Sequence, residues 1–202
     1  MRIPILMLSL TLAASGAASG QTPRDTALSR ALLERVRVDQ AIRDTMVQRM
    51  QAGQTVDSSF AARMMHIDSA NTTWLKGVVA RRGWPGRSAV GPEASNAAFL
   101  IVQHAVHDSA FQAQALALME KGVATGEVSG ADVAMLADRV AVHRGKPQRY
   151  GTQAKLLEGR LVLDPIEDSA HVDQRRAALG MPPLREYVRV LDSMYTAHPR
   201  HD

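Results

Sequence analysis

At 202 residues, with 46% hydrophobic and 22% charged side chains, the chain has material for a sizeable core and is not disordered as a whole. Its formal net charge of +4 is interspersed, without the clustered basic patch and stacking aromatics of a nucleic-acid face, so no nucleic-acid partner is expected. Cysteine is absent, which excludes disulfides, thiolate catalysis and Cys-ligated zinc.

The first 20 residues follow the grammar of a signal peptide. Arg2 precedes an apolar run over 3–14, too short for the roughly 20 residues that span a bilayer, and small residues lead to Ala18-x-Gly20. The expectation is an exported protein, periplasmic or extracellular, with no stable membrane anchor after cleavage.

Residues 21–56 are expected to hold one amphipathic helix, striped by Leu28, Leu32, Val36, Ile42, Met46 and Met50 and ended by Gly53. A helical domain over 57–197 follows, with a tail at 198–202. Asp57 and Ser58 offer capping oxygens to a helix carrying Phe60, Met64, Ile67, Trp74 and Val78, which closes at Gly83 and Pro85. Pro92 opens a helix that is apolar on nearly every side from Ala97 to Val106, and Asp108 or Ser109 starts the next. Ser129 and Asp132 make a capping-box pattern ahead of a second apolar helix around Val133 to Val142, terminated by Gly145 and Pro147. A small β-hairpin is expected near residues 153–163. A helix from about Ser169 to Leu179 stops at Gly180, and Pro182-Pro183 start the last. The fold class is mainly α, a single orthogonal helical domain with one hairpin.

Each all-apolar helix carries a polar pair, Gln103-His104 and Asp138-Arg139. Such groups, buried without partners, cost roughly 2–7 kcal/mol when neutral and more when charged. They are expected to meet each other, water or a ligand. A carboxylate on one ring nitrogen of His104 would fix its tautomer and make the other nitrogen a base, and Asp138 is the candidate orienter. Arg139 suits an anion, because its planar fork matches carboxylate or phosphate. Gln148, Tyr150, Thr152 and Gln153 surround Gly151 with donors and acceptors suited to a polar ligand, and the same segment reads as a tight turn. Asp168 and Arg175 lie at the start of the penultimate helix, where Asp168 can cap it. His104 and His107, three apart with Asp108 following, tempt a metal assignment, but no His-Glu-x-x-His occurs and a third ligand is unspecified. No metal and no cofactor are expected.

Six strings occur in a characteristic order: Gly83-Trp84-Pro85, Val102-Gln103-His104-Ala105, Ala137-Asp138-Arg139-Val140, Gln148-x-Tyr150-Gly151-Thr152-Gln153, Pro165-Ile166-Glu167-Asp168 and Val172-Asp173-x-Arg175-Arg176. Through them the chain resembles a bacterial family classed as a domain of unknown function, often found behind a signal peptide. The likeness covers roughly residues 71–187, and the Tyr-Gly-Thr-Gln element is its most specific part. Where that family carries an acidic residue two places after the His, this chain has Val106, with Asp108 a substitute. The resemblance implies no activity, but it does imply that these polar residues form one recurring constellation.

The leading expectation is an exported helical domain that binds a small polar or anionic ligand in a buried polar pocket and hydrolyses it if it is an enzyme. In that case His104 and Asp138 are catalytic, and Gln103, Arg139, Gln148, Tyr150, Thr152, Gln153, Asp168 and Arg175 bind the ligand. The alternative is a non-catalytic envelope scaffold whose polar core fixes packing, with Met46, Met50, Met64 and Met65 supplying an adaptable surface.

Overall fold

The computed structural model describes residues 3–4, 24–158 and 160–195. Apart from Ile3–Pro4, the signal-peptide expectation lies outside the described residues, as does the tail at 198–202. Among the described residues the fold is mainly α with a small antiparallel hairpin, as the apolar periodicities require, and no helix is long and apolar enough to cross a membrane. The described residues form two compact units, 24–128 and, with 3–4, those from 129 to 195.

The first unit holds α1 (Thr26–Gln51), α2 (Ser58–Arg82), α3 (Arg87–Val90), α4 (Pro92–His104) and α5 (Ser109–Val123). Asp25, Asp57 and Asp108 cap α1, α2 and α5, each accepting the backbone N–H three residues on at 2.8–2.9 Å. A six-residue turn joins α1 to α2 as antiparallel neighbours. Two links pin that register, Arg49 to Asp57 near the turn and Arg82 to Asp25 at the far end. Helix α4 is the centre of the unit. Ala97, Ala98, Phe99, Ile101 and Val102 are all buried, and the helix packs against α1, α2, α3 and α5. Its last carbonyls are met by the Gln112 side chain, which donates to Val102 and Gln103 at 3.1 and 3.2 Å. Helix α1 contributes Leu32, Asp39 and Arg43 to this interior. The short α3 was not anticipated.

The second unit holds α6 (Gly130–His143), β2 (Ala154–Leu157), β3 (Arg160–Leu163), a 3-10 turn (Ser169–His171), α7 (Val172–Ala178) and α8 (Leu184–Tyr195). Strands β2 and β3 pair antiparallel from Ala154–Leu163 to Leu157–Arg160, and β1 (Ile3–Pro4) pairs with the other edge of β2. Tyr187 and Leu191 of α8 bury Ala154 together with Leu156, Leu161 and Leu163. Two local expectations are corrected. Ser129 precedes α6 but its side chain makes no cap bond, and Asp168 does not cap either. The Asp168 carboxylate turns to Nδ1 of His171 at 2.8–2.9 Å, with its backbone in the left-handed region at φ 43°.

A buried acid–base cluster as candidate functional site

Helical spacing explains why four charged or ionisable groups meet inside the first unit. Asp39 and Arg43 are one turn apart on the inner face of α1, Asp68 projects from α2, and His104 ends α4. Asp39, Arg43 and His104 are each 1% exposed, and Asp68 is 7% exposed. The Asp39 carboxylate lies 2.9 and 3.1 Å from Nδ1 of His104, and its Oδ2 also accepts from Nε2 of Gln40 at 2.8 Å. Arg43 bridges the two acids, with Nη1 3.0 Å from Asp39 and Nη2 2.9 Å from Asp68. Taking such charges out of water costs several kcal/mol per ion, so the cluster persists only through this mutual pairing.

The same surroundings push the two carboxyl groups apart. Burial drives Asp39 upward, but the His104 hydrogen bond and charge, with Arg43 and Gln40, outweigh it and hold the group below its ordinary range. Burial also drives Asp68 upward; Arg43 opposes the rise, the Asp39 charge and hydrogen bond beside it add to it, and the group is pushed up to about 6. One acid is therefore held ionised while its neighbour retains a proton closer to neutrality.

A ring nitrogen of His104 and carboxylate oxygens of Asp39 and Asp68 lie within 4.8 Å of one another, a donor set that suits a divalent transition ion. Arg43 already sits on both carboxylates, so a cation would have to displace its guanidinium. The other metal temptation dissolves. Helix α4 ends at His104, so His107 lies in the following turn, exposed, while Asp108 caps α5 and binds Lys76 at 2.5 Å.

Gln103 and His104 belong to the first unit, and the carboxylate on His104 is Asp39 rather than Asp138. Asp138, in the second unit, accepts from the backbone N–H groups of Arg149, Tyr150 and Thr152 and from the Thr152 hydroxyl, at 2.7–3.2 Å. Burial raises its carboxyl, and these donors oppose the rise. Gln148 spends its amide on the loop as well, donating to the carbonyls of Gln153 and Asp164 and accepting from Gln153 N–H. Gln153 donates to the carbonyl of Met135 at 3.4 Å and to the Thr152 hydroxyl at 3.1 Å. Arg175 donates to the carbonyls of Arg149, Glu167 and Asp168. Arg176 donates to those of Tyr150 and Pro182. Arg139 is buried on α6 and Tyr150 is half-buried. The segment 148–153 is thus a braced turn. Gly151 sits at φ 71°, where an added Cβ would come within 2.6 Å of Leu184.

Asp39, Arg43 and Asp68 escaped the sequence reading, although a signal for them exists. Leu32, Val36, Asp39, Arg43, Met46 and Met50 advance in alternating steps of four and three, so the acid and the base occupy stripe positions. Asp68 likewise stands in line with Phe60, Met64, Asn71, Leu75 and Val79 on α2. A charged residue in register with an apolar stripe is the mark of a buried polar site.

Residues 26–199 fit a family described as "Family of unknown function (DUF6624)". No curated protein and no solved structure matches the chain.

Proposed function

The chain belongs to this family of unknown function, and we propose that its first helical unit carries a general acid–base centre acting on a small polar or anionic substrate. In this reading His104 is the base, Asp39 orients it, Asp68 is the proton donor, and Arg43 holds the two carboxyl groups together. The supporting observation is the opposite displacement of two adjacent carboxyl groups beside an oriented imidazole. Environments that drive neighbouring titratable groups apart are what assign acid and base roles at neutral pH. With Nδ1–H donated to Asp39, the imidazole's lone pair lies on Nε2, the atom that would take a proton from water or a substrate hydroxyl. A carboxyl titrating near 6 returns a proton to a leaving group with little driving-force penalty. Because the cluster is closed to water, turnover in this reading requires local opening of the seam between α1 and α2, on the microsecond to millisecond scale usual for such gating.

The test is a hydrolysis screen with chromogenic esters, phosphoesters and amides, using the wild-type chain and the His104→Gln and Asp68→Asn variants. Turnover that disappears in both variants while each stays folded is the expected result. A wild type inert to every class, or variants as active as wild type, would end the proposal.

A structural polar core is the competing reading, supported by the near-complete burial of Asp39, Arg43 and His104. It goes with a scaffold role, for which Met65 is exposed whereas Met46, Met50 and Met64 are half-buried. We propose in addition that the protein is bacterial and exported, on the pattern of its first 20 residues. Mass spectrometry of the mature chain should then find Gln21 at its N-terminus, and an intact Met1 in the secreted or periplasmic fraction would count against it.

A further inference from the structure

One turn beyond the acid–base cluster, the seam between α1 and α2 carries a second polar group, formed by Arg35, Asn71 and Trp74. Arg35 precedes Asp39 by four residues and Asn71 follows Asp68 by three, so both continue the faces that carry the cluster. The Arg35 guanidinium lies over the Trp74 ring, 4.4 Å from its centroid. Its Nη1 donates to Oδ1 of Asn71 at 3.2 Å. Arg35 and Trp74 are half-buried whereas Asn71 is 5% exposed, so the group spans the step from solvent to interior.

The orientation of the Asn71 amide follows from chemistry. A guanidinium has donors only, so the oxygen must face Arg35 and the nitrogen must face away along the same planar group. That nitrogen is buried and, among the described residues, meets no acceptor. A buried donor left without an acceptor is costly and uncommon, and it calls for an explanation. Beside it stands an arginine braced on an indole face, an arrangement that holds the guanidinium plane while leaving its edge to bind. Both side chains offer N–H, and neither offers an acceptor to the missing partner. Their common complement is an oxyanion.

We propose that Arg35, Trp74 and Asn71 form the anion-binding mouth of the His104 centre, receiving a substrate that carries a carboxylate or phosphate group. One anion oxygen would accept from the Asn71 amide and another from the Arg35 fork, leaving the rest of the molecule pointing along the seam toward Asp39 and His104. This rests on the acid–base reading for its purpose, but the anion site stands on its own geometry.

The experiment is calorimetric titration and thermal melting of the full chain with inorganic phosphate and, separately, acetate, against chloride at equal ionic strength. Saturable binding of at least one oxyanion is expected, with a concentration-dependent rise in Tm. Arg35→Gln and Asn71→Asp should each weaken it about tenfold or more, the latter by replacing the donor with a repelling carboxylate of the same size. Arg35→Lys, which retains the charge and loses the fork, should fall between wild type and Arg35→Gln. Phosphate preference identifies a phosphorylated substrate class, and acetate preference a carboxylated one. Absence of saturable binding for both probes, or affinity unchanged in Arg35→Gln and Asn71→Asp, overturns the proposal. His104→Gln should bind the anion as wild type does. Binding that survives while the hydrolysis screen stays blank would refute the acid–base centre and leave the anion site standing.

Discussion

Nδ1 of His104 lies 2.9 Å from one oxygen of Asp39 and 3.1 Å from the other, across 65 residues of sequence. The Asp39 carboxylate also binds Arg43, so one buried group orients an imidazole and neutralises a guanidinium. Replacing it with the isosteric amide leaves both partners short of charge. Asp39→Asn is expected to cost about 3 kcal/mol or more, in the range for breaking a buried pair from one side. Urea denaturation monitored by circular dichroism gives the number, and a loss below about 1 kcal/mol would show that the pairing contributes little.

Asp68 makes a prediction about pH. Its folded pKa of about 6 lies above the ordinary 3.8, so between those values the folded chain binds more protons than the unfolded one. The associated stability is present in full below the unfolded value and is lost as pH rises through 6. The shift corresponds to roughly 3 kcal/mol by the linkage constant of 1.36 kcal/mol per unit. Asp39 acts in the opposite sense, since its depressed pKa stabilises above the unfolded value and is lost only at lower pH. Unfolding free energies measured from pH 4 to pH 7 should therefore decline by an amount that Asp68→Asn largely removes. Parallel slopes in wild type and variant would place the proton elsewhere.

How far the sequence reached can be judged residue by residue. Helix boundaries were open to reading because their signals are local: Asp57 caps α2 through Phe60 N–H, and Gly83 takes φ 75° at its end. The all-apolar faces of α4 and α6 pointed to buried helices, and Gln103, His104, Asp138 and Arg139 are indeed buried. Partner choice was out of reach. Asp138 bonds residues 11–14 positions away, a local loop-bracing role that spacing alone does not separate from catalysis. His104 takes a partner 65 positions away on a helix read as a plain amphipathic stripe. Periodicity reports which face is inside, not which polar side chain meets which.

The bracing role of Asp138 is testable without any ligand. Its two oxygens hold three backbone N–H groups of the turn after α6. Asp138→Ala leaves those donors to find water or go unsatisfied, at about 1–3 kcal/mol for each that stays buried. Amide hydrogen exchange at Arg149, Tyr150 and Thr152 should accelerate by at least tenfold in the variant, with smaller changes in α1 and α2. Exchange at those three amides that matches wild type would mean that the turn holds itself.

The decisive variant for the cluster removes its charge altogether. Substituting Asp39, Arg43 and Asp68 together by Leu, Met and Leu eliminates the desolvation cost of three buried charged groups and supplies apolar volume in their place. Buried ionic groups replaced as a set by well-packed apolar residues are often neutral or stabilising by about 1–4 kcal/mol, whereas removal of one partner is strongly destabilising. The triple variant, which leaves His104 without the Asp39 carboxylate, should accordingly lose less than Arg43→Met alone, which leaves Asp39 and Asp68 facing each other uncompensated and should lose about 3–5 kcal/mol. If the triple variant is stable, its chemistry separates the two readings of the site. Hydrolysis lost in a stably folded triple variant assigns the charges to function, because nothing in the packing then demands them. Hydrolysis retained there would remove Asp39 and Asp68 from the mechanism, whatever their pKa values.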